Sequence, residues 1–293
     1  MDRFSDPKGY LPGGFGVYRC GGCGLKYTWP QPDPAVIGQY YDEDYGSWHI
    51  KKDDRDGLKS LVRRITLNRY FGYAAQRGEV SGLKGMLAGL ASFFYAVNVN
   101  VPDGARRGKL LDIGCGSGDF LHEMKSLGWD VRGVEPSPAA CLLAEKRWGI
   151  KPLCGEVKDV EERGFDLVSL RGVIEHLYNP LETLGEIRGL LNPGGRVFIT
   201  THNIEGSGPR FYGTRWVGWE VPQHLYFFDR RTLPLLLEKA GFRPVYLKNC
   251  FRTVDLFNTL HPSRMEQGLS VLLWRLAMAF EVHGGLAAEA AKE

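Results

Sequence analysis

The sequence is short of the features that would place it in a membrane, outside the cell or on a nucleic acid. No apolar stretch reads as a spanning helix: the most apolar segments, 82–101 and 269–282, are interrupted by Lys, Arg, Asn or several Gly. The first residues, Met1-Asp2-Arg3-Phe4-Ser5-Asp6, carry no apolar signal region. Six cysteines in 293 residues are few and, apart from Cys20 and Cys23, scattered, which argues against a disulfide framework and for a reducing compartment. A cytoplasmic protein is the expectation. The formal net charge of +3 is too small to imply nucleic acid. Residues 51–109 do hold 12 Lys/Arg against 5 Asp/Glu, a bias read as a solvated helical face ahead of an anion-facing surface. There is no internal repeat.

What is present suffices for an ordinary globular core. The chain is 43% apolar and 24% charged, and long enough for one large or two small domains. Residues 1–50, rich in Gly, Pro and aromatics, read as irregular. Leu58, Leu61, Val62, Ile65 and Leu67 approximate one apolar helix face. From residue 105 strand and helix patterns alternate, the signature of a parallel sheet covered on both faces. Strands are expected at 165–170, 196–200 and 243–248, with helices over 181–191 and from about Thr232 to Ala240, stopped by Gly241. The Ala-rich end, 286–292, is open among helix, strand and tail.

The strongest signal is Leu110-Leu111-Asp112-Ile113-Gly114-Cys115-Gly116-Ser117-Gly118-Asp119, with Glu135 following 17 residues after Gly118. It predicts a buried strand, a glycine turn, a helix over 119–127 and a second strand ending in a carboxylate. Glycines at 114, 116 and 118 allow positive φ and a close approach of backbone to ligand. The helix end they open attracts an anion. A dinucleotide site spaces its glycines G-x-G-x-x-G. Here the third comes one residue early, and Asp119 would repel a pyrophosphate. A zwitterionic tail suits the pattern better: Asp112 can accept from an ammonium and Glu135 from ribose hydroxyls. These details favour S-adenosylmethionine over a dinucleotide.

Four further blocks join this one: Gly133-Val134-Glu135-Pro136-Ser137, Phe165-Asp166-Leu167-Val168-Ser169-Leu170, Gly172-Val173-Ile174-Glu175-His176-Leu177 and Leu191-Asn192-Pro193-Gly194-Gly195. In this order and spacing the chain resembles the class I S-adenosylmethionine-dependent methyltransferases over about residues 105–250. The resemblance implies an α/β fold with a Rossmann-like, doubly wound, seven-stranded and mostly parallel sheet. It implies cofactor contacts at Asp112, Gly114, Cys115, Gly116, Gly118, Glu135, Pro136, Glu156, Val157, Leu170 and Arg171, although Arg171 departs from the small or uncharged residue common there. The organisation expected is an N-terminal accessory segment, 1–104, and a cofactor-binding domain, 105–293.

A narrower similarity involves both flanks. Tyr18-Arg19-Cys20-Gly21-Gly22-Cys23-Gly24-Leu25 and Trp216-Val217-Gly218-Trp219-Glu220-Val221-Pro222-Gln223-His224 are similar to segments of bacterial small-molecule and sugar methyltransferases with a zinc-knuckle-like N-terminus. A structural zinc site wants four ligands, and no second Cys pair precedes Cys20. Arg171 and Gly172 stand where acidic residues would help bind a divalent ion in a related quinone-pathway group. No metal is expected. Methyl transfer needs orientation and, for many acceptors, a base; His176 is the catalytic candidate, with His202, Trp216 and His224 as acceptor-binding candidates. Tyr40, Tyr41, Tyr45, Trp48, Trp216 and Trp219 suggest either a lid or plain packing. The function expected is methyl transfer to a small molecule such as a sugar, glycan precursor or secondary metabolite. RNA methylation and cofactor binding without catalysis are the alternatives; the oligomeric state is open.

Overall fold

In the computed structural model, residues 14–40, 58–73, 83–96, 99–250 and 285–293 are described. Ten strands lie in chain order: β1 (Gly16–Arg19), β2 (Lys26–Trp29), β3 (Lys109–Ile113), β4 (Asp130–Glu135), β5 (Leu153–Cys154), β6 (Phe165–Arg171), β7 (Leu191–His202), β8 (Tyr226–Phe227), β9 (Phe242–Cys250) and β10 (Gly285–Lys292). Seven form a sheet in the order β5-β4-β3-β6-β7-β10-β9. β3 runs parallel to both β4 and β6, and β4 parallel to β5. The sheet is the mostly parallel, Rossmann-like one expected. Its strands are apolar because both faces are covered: Leu110, Leu111, Phe165, Leu167, Val168 and Leu170 are all buried.

The described residues fall into two compact units. One draws on 1–45, 172–185 and 199–290, the other on 46–171, 186–198 and 291–293. The second unit holds the glycine turn. Its α1 (Leu58–Phe71) and α2 (Leu83–Ala96) pack on one another, burying Val62, Leu67 and Ala88. α3 (Asp119–Ser126) follows the turn, and α4 (Pro138–Trp148) follows β4. α4 starts where Ser137 Oγ accepts from Ala140 N at 3.4 Å and ends at Gly149 in the left-handed conformation. The thiols of Cys141 and Cys154 are paired as a disulfide, the one exception among the described residues to the expectation of unlinked cysteines.

α5 (Pro180–Leu190) holds Pro180 in its first turn, where a proline loses no hydrogen bond, and follows Asn179. The strand expected at 196–200 is longer, β7 extending from Leu191 to His202.

The first unit corrects the irregular reading of the N-terminus. β1 and β2 form an antiparallel hairpin whose turn carries Cys20 and Cys23, and β2 pairs with β8 some 200 positions later in the chain. Val17, Ile204, Trp216, Trp219 and Phe227 make its apolar core. α6 (Ser207–Tyr212) and α7 (Thr232–Lys239) complete it. α7 begins at Thr232 after Arg231, and Asp229 fixes its start: its Oδ1 accepts from Arg231 N at 2.9 Å and from Thr232 N at 2.7 Å, and its own N–H donates to Thr232 Oγ1 at 3.0 Å. Among the described residues no helix is long and apolar enough to cross a membrane.

Candidate functional site

The turn between β3 and α3 is built by three glycines with φ of 65°, 54° and 75° at 114, 116 and 118, a conformation other residues adopt only at a cost. A Cβ at Gly116 would meet nothing within 4 Å, so open space lies against the turn. Gly114 N and Cys115 N both donate to Val134 O, at 2.9 and 3.2 Å, which anchors the turn on β4. Glu135, buried at the end of β4, accepts from Gly116 N through Oε2 and from Ser137 N through Oε1, each at 2.9 Å. Each carboxylate oxygen keeps a second lone pair for a ligand.

Asp112, near the end of β3, is buried and accepts from Ser169 Oγ at 2.6 Å. Burial pushes its carboxyl up to about 6, with Glu135 adding to the rise; the Arg171 guanidinium and Ser169 oppose it. Arg171 lies over the Phe120 ring at 4.0 Å. This residue, out of pattern in the sequence, therefore supplies positive charge to Asp112. Asp119 is already engaged by Arg147 at 3.2 Å and by Ser117 Oγ, so its charge is spent within the turn.

In the other unit, Glu175 and His176 lie on a single helical turn, Ile174–His176. Leu225 N donates to Glu175 O at 2.8 Å, tying the 218–225 loop to that turn. Thr28 of β2 fixes the same loop, its Oγ1 donating to His224 O at 2.6 Å. The result is a cluster of four side chains. His202 Nδ1 stands 3.4 Å from Glu175 Oε1, and the His224 ring centroid lies 4.7 Å from that of His176 and 4.9 Å from that of His202. Burial alone would raise the Glu175 carboxyl, but the hydrogen bond from His202 and the three neighbouring imidazoles hold it well below the usual range. His224 is held well below the usual imidazole range, first by burial and then by His176 and His202.

A family model described as a methyltransferase domain matches residues 91–247, more than half of the chain. The chain belongs to the class I S-adenosylmethionine-dependent methyltransferase family. It is similar to a tRNA U34 carboxymethyltransferase of Pseudoalteromonas translucida, 31% identical over 48% of this chain and 46% of the relative. It is also similar to a ubiquinone biosynthesis O-methyltransferase of Cereibacter sphaeroides, 33% identical over 47% of this chain and 61% of the relative. The chain spans about half the length of the curated relatives it matches. A solved Burkholderia thailandensis structure, 1,6-didemethyltoxoflavin-N1-methyltransferase, shares the fold: TM-score 0.50, 17% identity, 95% of each chain covered.

Within this chain, the residues singled out in sequence divide between the two units. Asp112, Gly114, Cys115, Gly116, Gly118, Glu135, Pro136, Glu156, Val157, Leu170 and Arg171 lie in the unit of the glycine turn; His176, His202, Trp216 and His224 lie in the other. Cys115 points its thiol into the packing, where burial pushes it far up, and only its backbone faces the turn. Leu170 is fully enclosed in β6. Pro136 is exposed, and Glu156 pairs with Lys158 at 2.7 Å. Trp216 and Trp219 sit in the apolar core, 1% and 6% exposed, and so pack rather than stand open as a lid. Tyr40 is half-buried, its carbonyl accepting from Gln223; Tyr41, Tyr45 and Trp48 lie outside the described residues. Sequence reasoning missed Ser169, Thr28, Gln223 and Glu220. Ser169 was visible as the polar residue among the fully buried Leu167, Val168 and Leu170 of β6; the other three carry no local signal.

Proposed function

We propose that this chain transfers the methyl group of S-adenosylmethionine to a small-molecule acceptor, with residues 105–293 as the methyltransferase domain and 1–104 as an accessory segment. The observation that carries the reading is the paired carboxylates of Asp112 and Glu135 flanking a three-glycine turn with open space against Gly116. Those residues fit the cofactor: Asp112 for its ammonium, Glu135 for its ribose hydroxyls, and the turn for close backbone approach. Pro136, Glu156 and Val157 belong to the adenine side, Leu170 and Arg171 to the methionine side. When bound, the cofactor supplies an electrophilic methyl for in-line displacement. The chain's own part is to orient and, where the acceptor needs it, to take a proton.

His176 is suited to that proton. Its Nδ1 donates to Gln223 O at 3.0 Å, which leaves Nε2 as the basic nitrogen. His202, Trp216 and His224 are proposed on the acceptor side. Trp216 Nε1 is buried without a hydrogen-bond partner among the described residues, a donor suited to a polar acceptor. Their burial supports a small acceptor, because a surface gripping RNA needs exposed contacts.

An RNA acceptor is the second reading, favoured by the name of one relative and by the basic bias of 51–109. Calorimetric titration with S-adenosylmethionine and S-adenosylhomocysteine, followed by labelled-methyl transfer to sugar nucleotides and to total tRNA, tests both. Micromolar cofactor binding with label entering small molecules supports the proposal. Label entering tRNA alone establishes the second reading. Binding with no acceptor of any class labelled favours a non-catalytic cofactor-binding protein, and no binding overturns the cofactor assignment.

A further inference from the structure

The turn that joins β1 to β2 carries Cys20 and Cys23, with only Gly21 and Gly22 between them. Cys20 N donates to Leu25 O at 2.9 Å and Gly24 N donates to Cys20 O at 3.0 Å, so the turn closes on itself. A Cβ at Gly21 would meet nothing within 4 Å, and one at Gly22 would meet the Cys20 sulfur at 3.9 Å. That sulfur therefore lies over the backbone of its own turn. The N–H groups of Cys23 and Gly22 point at it, and the Cys23 thiol donates to it. Both thiols are half-exposed.

N–H groups that converge on one atom stabilise negative charge there. The backbone N–H groups of Cys23 and Gly22, and after them the Cys23 thiol, bring the Cys20 thiol down from an ordinary 9.0 to about 7. Cations flank the turn as well: Arg19 and Lys26 stand opposite one another where the hairpin enters and leaves it, and Arg19 Nη2 lies 3.4 Å from where a Cβ at Gly24 would stand. About half of Cys20 is thus thiolate at neutral pH, and the thiolate is the nucleophile. Its hydrogen-bond donor is a second thiol, placed to resolve a mixed disulfide. Cys115 has neither property: it is buried, and burial pushes its thiol far up.

We propose that Cys20 and Cys23 form a redox-active dithiol that exchanges with small-molecule disulfides of the glutathione class. The Cys20 thiolate attacks one sulfur of the disulfide; the small S–S bond breaks, a mixed disulfide forms at Cys20, and the departing thiolate takes a proton from solvent. Cys23 then gives its proton to solvent and attacks the Cys20 sulfur, expelling the second small thiolate, which is protonated in turn. The two protein thiols end oxidised to an intramolecular disulfide, and the small disulfide ends reduced to two thiols. Excess small thiol drives the same steps backwards. A four-residue turn brings its end α carbons within about 7 Å, the span a disulfide bridges. The bond closes the hairpin whose β2 pairs with β8 and whose Thr28 fixes the 218–225 loop.

The test equilibrates the full chain at pH 7 in graded mixtures of reduced and oxidised glutathione, stops exchange by alkylation and maps the cysteines by peptide mass, which separates Cys20–Cys23 from Cys141–Cys154. The peptide holding Cys20 and Cys23 should lose two hydrogens as the mixture becomes oxidising and regain them in excess reduced glutathione. This first reading needs no variant. In Cys23→Ser a glutathionyl adduct should accumulate at Cys20, since the resolving thiol is gone. In Cys20→Ser the remaining Cys23 should react at least roughly threefold more slowly than Cys20 does in Cys23→Ser. Oxidation that joins two chains, no adduct at Cys20 in Cys23→Ser, or equal rates in the two variants overturns the proposal. So does a thiol pair that reacts only after a chelator is added, which would assign the turn to a bound metal.

Discussion

Glu135 Oε2 accepts the backbone N–H of Gly116 at 2.9 Å, so the carboxylate that ends β4 also holds the turn that follows β3. One residue thus shapes the loop and, in the proposed site, meets the cofactor's ribose. Charge-assisted hydrogen bonds contribute roughly 1.5–3 kcal/mol each. Glu135→Ala should therefore weaken S-adenosylhomocysteine binding by about 10- to 150-fold in calorimetry. Glu135→Gln should lie between the two, because its amide oxygen can still accept from Gly116.

Asp112 gives the binding a pH dependence of opposite sign to that of stability. Its carboxyl, pushed up by burial to about 6 from an ordinary 3.8, holds its proton more tightly folded than unfolded. Between about pH 4 and 6 the folded state binds more protons, so the apoprotein loses stability as pH rises through that window. In the proposed site the cofactor's ammonium pairs with the ionised form, so affinity should rise roughly tenfold per pH unit below 6 and level off above it. Calorimetry and urea unfolding from pH 5 to 8 check both trends. Asp112→Asn should flatten each.

How far such a site can be read ahead of the structure depends on where its partners sit in the chain. The glycine turn, Asp112 and Glu135 were legible because the turn requires positive φ within five residues and the carboxylates end adjacent strands. Ser137 and Gly149 likewise mark α4 by local chemistry. The β1–β2 hairpin was not legible: its strands are four residues long, and its other neighbour, β8, is two residues long and nearly 200 positions away. β10 was ambiguous because alanine favours helix. Its place between β7 and β9 buries Ala287, Ala288 and Ala290 almost completely, and tertiary context overrides the propensity. Of the histidine cluster, His176, His202 and His224 were named from sequence and lie together; their contacts with Glu175 and Thr28 were not legible, because they join distant parts of the chain.

Gly118 should tolerate no side chain. Its φ of 75° costs an L-residue about 1–2 kcal/mol, and an added Cβ would lie 3.0 Å from Ala144 Cβ of α4. Gly149→Ala is the control, with φ of 62° and nothing within 4 Å of the added atom. In urea unfolding Gly118→Ala should lose more stability than Gly149→Ala, the excess reporting the α3–α4 contact. Equal losses would show that α4 yields at no cost.

The hairpin's part in the histidine cluster can be isolated at Thr28. Its hydroxyl is fully buried and donates to His224 O at 2.6 Å, while its N–H donates to Leu225 O at 2.9 Å. Thr28→Val keeps the shape and the backbone bond but leaves the His224 carbonyl without its side-chain donor, a loss of roughly 1–3 kcal/mol. Thr28→Ser restores the hydroxyl and should recover most of it, less the packing of one methyl. The imidazole resonances of His224 and His176, followed by NMR, should shift in Thr28→Val and return in Thr28→Ser. A stability loss without movement of those resonances would mean that the loop is fixed by Leu225 and Glu175 alone, since Leu225 N holds Glu175 O at 2.8 Å whether or not Thr28 is present.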